Sequence, residues 1–549
     1  MHKIMKNQSV SPKNFLSKEN LMPYFPTSDR AYGRLIRTSR NQFHSSQEPL
    51  DTAAVTINVN TRDNSNHDLP RSDCRFSHQA PQGGDVLNAL TAGSTRRRDK
   101  ESNRNQDRPL SFAGIGIGPA NLSLAALSEP LPDLTYEFFD RRPEFTWHPG
   151  LNFPGTTIQV SFLKDLVTLV DPTSPYSFLS FLVAKNRLYR FLTANFPGVL
   201  RAEYDQYFRW ASTLVPGLNF GHEVTAVDFD ERYQEFRIET TRGHFTAENL
   251  VLGTGLPPAV PEACLPHLGE QVFHASEFTQ RKPPTRGRDV VVLGGGQTGA
   301  EVFLTLLRDG RARPRRTTWI TRRANFLPLD DSPFTNELFF PNFAQYFHGE
   351  TGTRKARLLN DQKLASDGIS ISTLEEIYRE LYTMECVQGN GDFYRLLPES
   401  ELVGLERDAD KLVVTTQSAA CGVTRSMVAD TLILCTGYEY RPPEFLAPLL
   451  SRICLPGGRF KISDDYSLDW DGPPGSRIYV QNAGRHEWGA ADPNLSLLSW
   501  RSATIINSLV EYRRYDTGKT SSALRFGDKP EQSAWPAEYF SGERFDEFI

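Results

Sequence analysis

Two glycine-rich turns constrain the fold of this 549-residue chain more than any other feature. The short apolar run Leu110–Ile117 leads into the first turn, and a helical pattern over Asn121–Leu127 follows it. The segment DVVVLGGGQTGAEVFLTLL repeats this order of strand, turn and helix, and its Gly294 lies 180 residues after Gly114. Strands that alternate with helices are typical of parallel α/β sheets. We therefore expect an α/β fold with two Rossmann-like dinucleotide-binding domains plus a smaller substrate-binding region.

The first turn reads Gly114-Ile-Gly116-Ile-Gly118-Pro-Ala-Asn121, with Asn121 where the usual pattern has a third glycine. Glycine at Gly116 and Gly118 would allow a tight turn and a close approach of the backbone to a pyrophosphate. The helix that starts there offers free N–H groups to the phosphates. Asp140 follows Gly116 by 24 residues, at the end of the next apolar run, where an acid can accept hydrogen bonds from ribose hydroxyls. We predict a dinucleotide site on Gly116, Gly118, Asn121 and Asp140.

The second turn has the G-x-G-x-x-G pattern, formed by Gly294, Gly296 and Gly299. The following strand ends in Arg322 and Arg323 rather than in an acid. Arginine accommodates the 2′-phosphate of NADPH, whereas an acid would repel it. The strand after the first turn ends in an acid, and the strand after the second turn ends in arginine. This difference predicts FAD at the first turn and NADPH at the second. The cofactors would then supply the redox chemistry, and the protein would position them.

Composition excludes several other classes of protein. The chain has 61 Lys and Arg against 66 Asp and Glu, a net charge of −5, which argues against a nucleic-acid binder. It has no apolar stretch approaching ~18 residues, so we expect no membrane span. The six cysteines form no CxxC pair, and His486-Glu487 lacks a second histidine at metal-binding spacing, so we predict no metal site. Because the N-terminus also lacks an apolar signal region, we expect a cytoplasmic protein.

The segments of the chain differ in polarity. Residues 1–109 contain none of the seven tryptophans and carry polar runs such as NVNTRDNSNHDLPRSD, which predicts a disordered N-terminal extension. The remaining predicted segments are the first part of the FAD-binding domain (110–285), the NADPH-binding domain with a substrate-binding insertion (286–415), a return to the FAD domain and substrate region (416–510), and a C-terminal tail (511–549).

Several longer sequence segments between Leu110 and Val510 resemble those of a known protein family. They include GIGIGPANLSLAALSE, FTWHPG, QVSFLKDLVTLVDPTSPYSFLSFL, DDSPFTNELFFP, SDGIS, CTGY and NLSLLSWRSA. In this order they resemble the bacterial L-lysine N6-monooxygenases, which are flavin-dependent N-hydroxylating monooxygenases of siderophore biosynthesis. The resemblance implies a homo-oligomeric enzyme that converts L-lysine to N6-hydroxylysine with NADPH and O2 through a C4a-hydroperoxyflavin.

The resemblance also implies roles for residues around the cofactors. Trp147, His148 and Gln159 would lie near the isoalloxazine ring of FAD. Gln297, the glutamine of the second turn, would lie beside the reactive flavin position and is the predicted catalytic residue. Ser496, in the NLSLLSW stretch, would also contact a cofactor.

Three further residues are predicted to bind the substrate. The resemblance implies that Lys164 binds the substrate carboxylate and Asn336 the amino-acid head group, and Ser366 stands where ornithine-specific relatives tend to have asparagine. A buried carboxylate needs a cation or several donors, and Lys164 lies in the apolar stretch VSFLKDL. The alternatives are that Lys164 pairs with Asp165 or extends to solvent, and that Asn336 caps a helix.

Other activities remain open from the sequence. Within the same chemistry they are a diamine N-monooxygenase acting on cadaverine or putrescine and an L-ornithine N5-monooxygenase. One methylene in an apolar pocket is worth only about 1–3 kcal/mol, so the chain length of the substrate is weakly specified. A Baeyer–Villiger-type or hypotaurine-like flavin monooxygenase shares the two turns but is not expected to share DDSPFTNE or SFLKDL. A disulfide reductase would need a redox cysteine pair, which is absent.

Overall fold

The computed structural model describes residues 108–310, 312–518 and 520–527. The predicted N-terminal extension therefore lies outside the described residues, apart from its last two positions, and so does the tail beyond residue 527. Within the described ranges, no helix combines the length and the apolarity needed to cross a membrane.

The described chain contains sixteen β-strands in four sheets. They are β1 Phe112–Ile115, β2 Tyr136–Asp140, β3 Leu218–Phe220, β4 Val224–Asp230, β5 Glu235–Thr240, β6 Gly243–Ala247, β7 Leu250–Leu252, β8 Val272–His274, β9 Asp289–Leu293, β10 Arg316–Ile320, β11 Tyr394–Leu397, β12 Ser400–Asp408, β13 Lys411–Ser418, β14 Thr424–Ala429, β15 Thr431–Leu434 and β16 Ile478–Val480.

The α-helices of the described ranges are α1 Pro119–Ser128, α2 Phe178–Ala184, α3 Leu188–Ala194, α4 Arg201–Leu214, α5 Phe278–Arg281, α6 Gln297–Arg308, α7 Pro333–Asn336, α8 Pro341–His348, α9 Gly352–Asp361, α10 Leu364–Asp367, α11 Ile371–Tyr382, α12 Arg485–Trp488 and α13 Leu498–Val510. Short 3-10 segments connect several of them, and the π-helical turn Thr383–Val387 extends α11.

The first sheet is parallel and has the order β16-β7-β1-β2-β3. Its central strand β1 is buried at all four positions, as expected for a strand covered on both faces. Position 114 within β1 requires glycine, because a Cβ there would lie only 2.0 Å from the ring of Phe138 on β2. The first turn follows β1 directly and opens α1, so this sheet carries the predicted FAD site.

The second sheet is also parallel and has the order β11-β10-β9-β15-β8. Two parallel sheets, each with a glycine turn between a strand and a helix, confirm the predicted α/β fold. In sequence the second sheet extends from Val272 to Leu434, beyond both ends of the predicted segment 286–415. Its early strand β8 is only three residues long and has no glycine turn, so the sequence offered no signal for it.

Two three-stranded antiparallel sheets, β4-β5-β6 and β12-β13-β14, complete the strands. Residues of β5 alternate between buried and solvent-facing positions, which is typical of a sheet covered on one face. Helices α7 to α11 lie in sequence between β10 and β11. They carry Asn336 and Ser366, two of the predicted substrate residues.

Candidate active site

The first turn holds its backbone in a conformation that requires glycine. Gly116 has φ +88°, and a Cβ there would lie 2.6 Å from the carbonyl oxygen of Gly253. Gly118 is the N-cap of α1, and no side chain caps this helix. The N–H groups of the first helical turn are therefore left for an external acceptor, the arrangement that binds phosphate.

Asn121 secures the turn from inside the protein. Its side chain is fully buried, and its amide donates to the carbonyl oxygens of Gly116 at 2.8 Å and Ile115 at 3.3 Å. Its Oδ1 accepts a 2.7 Å hydrogen bond from Nε2 of Gln481. Asn121 is one of the predicted cofactor residues, and these contacts let it fix the backbone of the turn.

The carboxylate of Asp140 is engaged by protein donors. It accepts from the backbone N–H of Ile117 at 2.8 Å and from the backbone and guanidinium of Arg142 at 2.7–3.0 Å. Burial raises the pKa of this carboxyl, but the hydrogen bonds and charge of Arg142 and the backbone donors outweigh it, so the net pKa lies below its ordinary value. A carboxylate has about four acceptor positions. Contact with a ribose would therefore require Arg142 to move.

The second turn is packed more tightly than the first. Gly294 has φ +134°, and a Cβ there would lie 2.1 Å from the carbonyl oxygen of Cys435. A Cβ on Gly299 would lie 2.1 Å from the oxygen of Gly294, so the third glycine allows α6 to approach β9. Gly296 is the N-cap of α6, and this helix also lacks a side-chain cap.

The two arginines after β10 have different environments. Arg323 donates from one guanidinium nitrogen to the carbonyl oxygens of Asp367 at 2.7 Å and Gly295 at 3.2 Å. Arg322 is exposed, and its side chain makes no hydrogen bond or ion pair within the described chain. Only Arg322 therefore has a free guanidinium for an added phosphate.

Gln297 and Gln159, both predicted to lie near the flavin, meet through one serine. Oε1 of Gln297 accepts from the backbone N–H of Ser370 at 2.8 Å, and Nε2 of Gln159 donates to the Ser370 hydroxyl at 2.9 Å. Nε2 of Gln297 donates to Glu301 at 3.0 Å and to the Thr373 hydroxyl at 3.2 Å. One network of hydrogen bonds thus connects Gln159, which follows the first turn, with Gln297 of the second turn.

Trp147 and His148 lie side by side, with ring centroids 5.4 Å apart. The side chain of His148 is accessible to solvent, while desolvation by the surrounding atoms and the nearby charges of Arg201 and Arg142 lower its pKa to about 4. The imidazole is therefore neutral at pH 7. The ring of Tyr438 lies 6.3 Å away, and its buried hydroxyl has no hydrogen-bond partner in the described part of the chain, which suits a site that receives a polar group.

Lys164 lies next to Ser496, and its ammonium donates to the serine hydroxyl at 3.0 Å. The hydroxyl of Ser496 in turn donates to Oδ1 of Asn494 at 2.8 Å. Asp165 does not pair with Lys164, because its carboxylate accepts from backbone and hydroxyl donors of Val167, Thr168 and Phe178. Lys164 has no carboxylate partner among the described residues, and burial lowers its pKa.

Asn336 and Ser366 bond to other partners than this pair. Asn336 is exposed at the end of α7 and donates to the carbonyl oxygen of Asp331 at 2.9 Å, while the cap of α7 is Ser332. Ser366 donates to Asp367 at 2.8 Å and accepts from Arg485 at 3.1 Å. In the part of the chain that the structure describes, no hydrogen bond connects either residue with Lys164.

A buried polar network behind the first turn was not predicted. Arg501 and Asp492 are at most 1% exposed, and they form an ion pair of 3.0 Å. Arg501 also donates to Gln481 at 3.2 Å and to Asn482 at 2.7 Å, which links α13 to Asn121 through Gln481. An arginine inside the apolar stretch NLSLLSWRSA was the available sequence signal.

A cavity of about 520 Å³ lies elsewhere in the molecule and is lined by none of the predicted site residues. Its cations are already paired: Lys461 donates to Asp469 at 2.7 Å, and Arg477 lies 3.6 Å from Glu511. We therefore place the site at the glycine turns. No group of three or more His, Cys, Asp or Glu side chains in the described ranges could hold a metal ion.

Comparison with known proteins identifies the family of the chain. The model of the family described as L-lysine 6-monooxygenase/L-ornithine 5-monooxygenase matches residues 108–440. The chain is 39% identical to the L-lysine N6-monooxygenase of Escherichia coli, over 76% of this chain and 99% of that protein.

Two solved structures are similar over nearly their whole length. One is the FAD-bound cadaverine monooxygenase of desferrioxamine biosynthesis from Erwinia amylovora, with a TM-score of 0.73, 32% identity, and coverage of 77% of this chain and 99% of that one. The other is the ornithine N-hydroxylase of Kutzneria sp. 744 with reduced FAD, NADP+ and L-ornithine, with a TM-score of 0.69, 29% identity, and coverage of 74% and 99%.

Proposed function

Because the chain belongs to the L-lysine 6-monooxygenase/L-ornithine 5-monooxygenase family, we propose that it hydroxylates the side-chain amine of L-lysine. It is an N-hydroxylating monooxygenase of siderophore biosynthesis, and its cofactors are FAD and NADPH. The overall reaction consumes the amine, O2, NADPH and one proton, and it yields the hydroxylamine, NADP+ and water. Bound FAD supplies hydride acceptance and O2 activation.

The residues of both turns fit dinucleotides. Gly118 and Gly296 each leave the start of a helix uncapped, where pyrophosphate oxygens would find N–H donors. Arg322 has a free guanidinium for the 2′-phosphate of NADPH. Arg323 would support the second turn from behind, through its bond to the oxygen of Gly295.

One observation carries the choice of an amino-acid substrate. Lys164 is half-buried, and its ammonium donates to Ser496 but faces no carboxylate in the described chain. A desolvated ammonium without an anion is costly unless a ligand supplies one. The carboxylate of lysine would provide that anion and would orient the molecule with its side-chain amine away from Lys164.

The site must also handle the charge of the amine. A lysine ε-amine has a reference pKa near 10.4, and only its neutral form is nucleophilic. Desolvation disfavours the charged form, so a water-excluding site would lower that pKa. The neutral His148 beside the predicted flavin site adds no positive charge that would attract water or repel the substrate.

The test compares L-lysine with cadaverine, which lacks the carboxylate. Losing one partner of a buried charge pair costs roughly 2–5 kcal/mol, so Lys164→Ala should lower kcat/KM for lysine by more than tenfold. Turnover of cadaverine should not fall, because it has no carboxylate for Lys164 to bind, and flavin reduction by NADPH should change little. Lys185→Ala, an exposed lysine at the end of α2, is the matched control. Equal losses with both substrates would mean that Lys164 is structural.

A diamine is the second candidate, because the Erwinia amylovora structure with a TM-score of 0.73 is that of a cadaverine monooxygenase. For a diamine, the unpaired charge of Lys164 would oppose binding of the second ammonium. Faster hydroxylation of cadaverine than of lysine by the unaltered protein would move the assignment to this class.

A further inference from the structure

A buried acid lies one helical turn after Gln297. Glu301 is on the inner face of α6, its side chain is only 6% exposed, and the neighbouring Val302 and Phe303 are fully buried. A carboxylate is rarely buried without a partner of opposite charge. The position of Glu301 therefore calls for a role beyond packing.

Glu301 bonds to both halves of the molecule. Its Oε1 accepts from Nε2 of Gln297 at 3.0 Å and from Arg201 at 2.9 Å, and its Oε2 accepts from Arg201 at 3.0 Å. Arg201 is the first residue of α4, which packs with the first sheet, and it also donates to the carbonyl oxygen of Leu151 at 2.6 Å. One carboxylate thus contacts the second turn and the FAD half together.

We propose that Glu301 is a positioning residue that fixes the orientation of the Gln297 amide and ties it to the FAD half through Arg201. An ionised carboxylate only accepts hydrogen bonds, so the Nε2 side of Gln297 must face Glu301. The Oε1 side then faces the N–H of Ser370, where the distance is 2.8 Å. The inference rests on the proposed function only in placing Gln297 beside the reacting flavin.

A single substitution would mix two effects. Glu301→Gln replaces the charged acceptor of Gln297 with a neutral amide, but it also leaves the guanidinium of Arg201 without its carboxylate partner, which destabilises the fold. The double variant Arg201→Gln/Glu301→Gln removes both charges and restores hydrogen-bonding capacity between the two positions. It keeps the loss of the charged acceptor for Gln297, so it separates positioning from stability.

The experiment uses the full chain loaded with FAD. The readouts are the thermal midpoint, the change in the flavin absorbance spectrum on titration with NADP+, and the fraction of oxidised NADPH recovered as hydroxylamine. Glu301→Gln should lower all three. The double variant should recover the thermal midpoint while the recovered fraction stays about tenfold below that of the unaltered protein, the size of one lost bond to a charged group.

A second pair of variants tests whether Glu301 acts through Gln297. In the background of Gln297→Ala, adding the pair Arg201→Gln/Glu301→Gln should cause no further loss of coupled product, because the amide to be oriented is gone. The control is Glu376→Gln, which breaks an exposed ion pair between α11 and Arg308 at the end of α6 and should leave every readout unchanged.

Two results would overturn the proposal: full recovery of coupling in the double variant, or additive losses in the Gln297→Ala background. If the unaltered protein makes no hydroxylamine from lysine, the proposed function fails. The NADP+-induced spectral change would then decide the role of Glu301 alone, since it must weaken in the double variant.

Discussion

The two glycine turns solve the same backbone problem with different third residues. In the second turn, Gly299 lets α6 come so close to β9 that any Cβ would overlap the oxygen of Gly294. In the first turn, Asn121 fills the corresponding space beside Gly253 and bonds the turn to Gln481. A residue other than glycine at the third position therefore fixes the turn in a different way. It does not make the nucleotide motif weaker.

The turns also differ in the charge behind them. Asp140 closes the first turn by accepting from the N–H of Ile117, and Arg142 balances its charge. In the second turn, Arg323 bonds to the oxygen of Gly295 and leaves Arg322 at the surface. Each turn therefore uses one charged residue for support, and only the second keeps another free for the ligand.

Exchanging the third residues of the two turns should impair nucleotide binding most strongly in the second turn. Gly299→Asn would place a Cβ 2.1 Å from the oxygen of Gly294 and 3.0 Å from the indole nitrogen of Trp319. Overpacking of this kind costs typically 1–3 kcal/mol and shifts the backbone. We expect loss of NADP+ binding, measured by titration of the flavin absorbance, while FAD is retained. Normal NADP+ affinity would contradict the close-packing account.

The reverse exchange, Asn121→Gly, should have a smaller effect. It leaves the buried amide of Gln481 without one partner, which costs about 1–3 kcal/mol. We expect a lower thermal midpoint and weaker FAD retention, measured by melting and by flavin fluorescence. Asn121→Asp keeps the acceptor for Gln481 but loses the donors to Gly116 and Ile115, so it tests the other side of the network. If Asn121→Gly melts and binds FAD as the unaltered protein does, then the network does not support the turn.

Substitutions of the two arginines after β10 should also differ in their effects. Arg322→Ala should reduce the preference for NADPH over NADH by about tenfold or more, since a bond to a charged group is worth about 1.5–3 kcal/mol. Arg323→Ala should instead impair both nucleotides, because it supports the turn itself. Steady-state KM values for both nucleotides test this. An unchanged ratio in Arg322→Ala would show that the 2′-phosphate is read elsewhere.

The smallest expected effect concerns pH. Burial lowers the pKa of Lys164, so its charge is lost at a lower pH than that of a free lysine. The ratio of kcat/KM for lysine to that for cadaverine should therefore fall as pH rises into the alkaline range. In Lys164→Arg the ratio should fall less, because arginine remains protonated. A flat ratio in the unaltered protein would argue against carboxylate binding by Lys164.

The sequence predicted the fold well because its strongest signals are local. A glycine turn between an apolar strand and a helix is fixed by backbone conformation and close approach, as at Gly116 and Gly294. Strand β8 of the second sheet gave no such local signal, because it has only three residues and no glycine turn.

The side-chain pairs of the site were less predictable. Glu301 and Arg201 are separated by 100 residues, and only the tertiary fold brings them together. The lone acid in the apolar helix segment AEVFLTLL was a hint that a partner exists, but it could not name the partner. The role of Lys164 came from the family resemblance, and its contact with Ser496, 332 residues away, depends on the tertiary fold.

The most direct test of the account measures hydroxylamine formed per NADPH oxidised by the unaltered, FAD-loaded protein with L-lysine, L-ornithine and cadaverine. The account predicts the highest kcat/KM for lysine. It predicts a value about 10–200-fold lower for ornithine, which is one methylene shorter, and a lower value for cadaverine, which lacks the anion for Lys164. A kcat/KM for cadaverine or ornithine that equals or exceeds the value for lysine would contradict it.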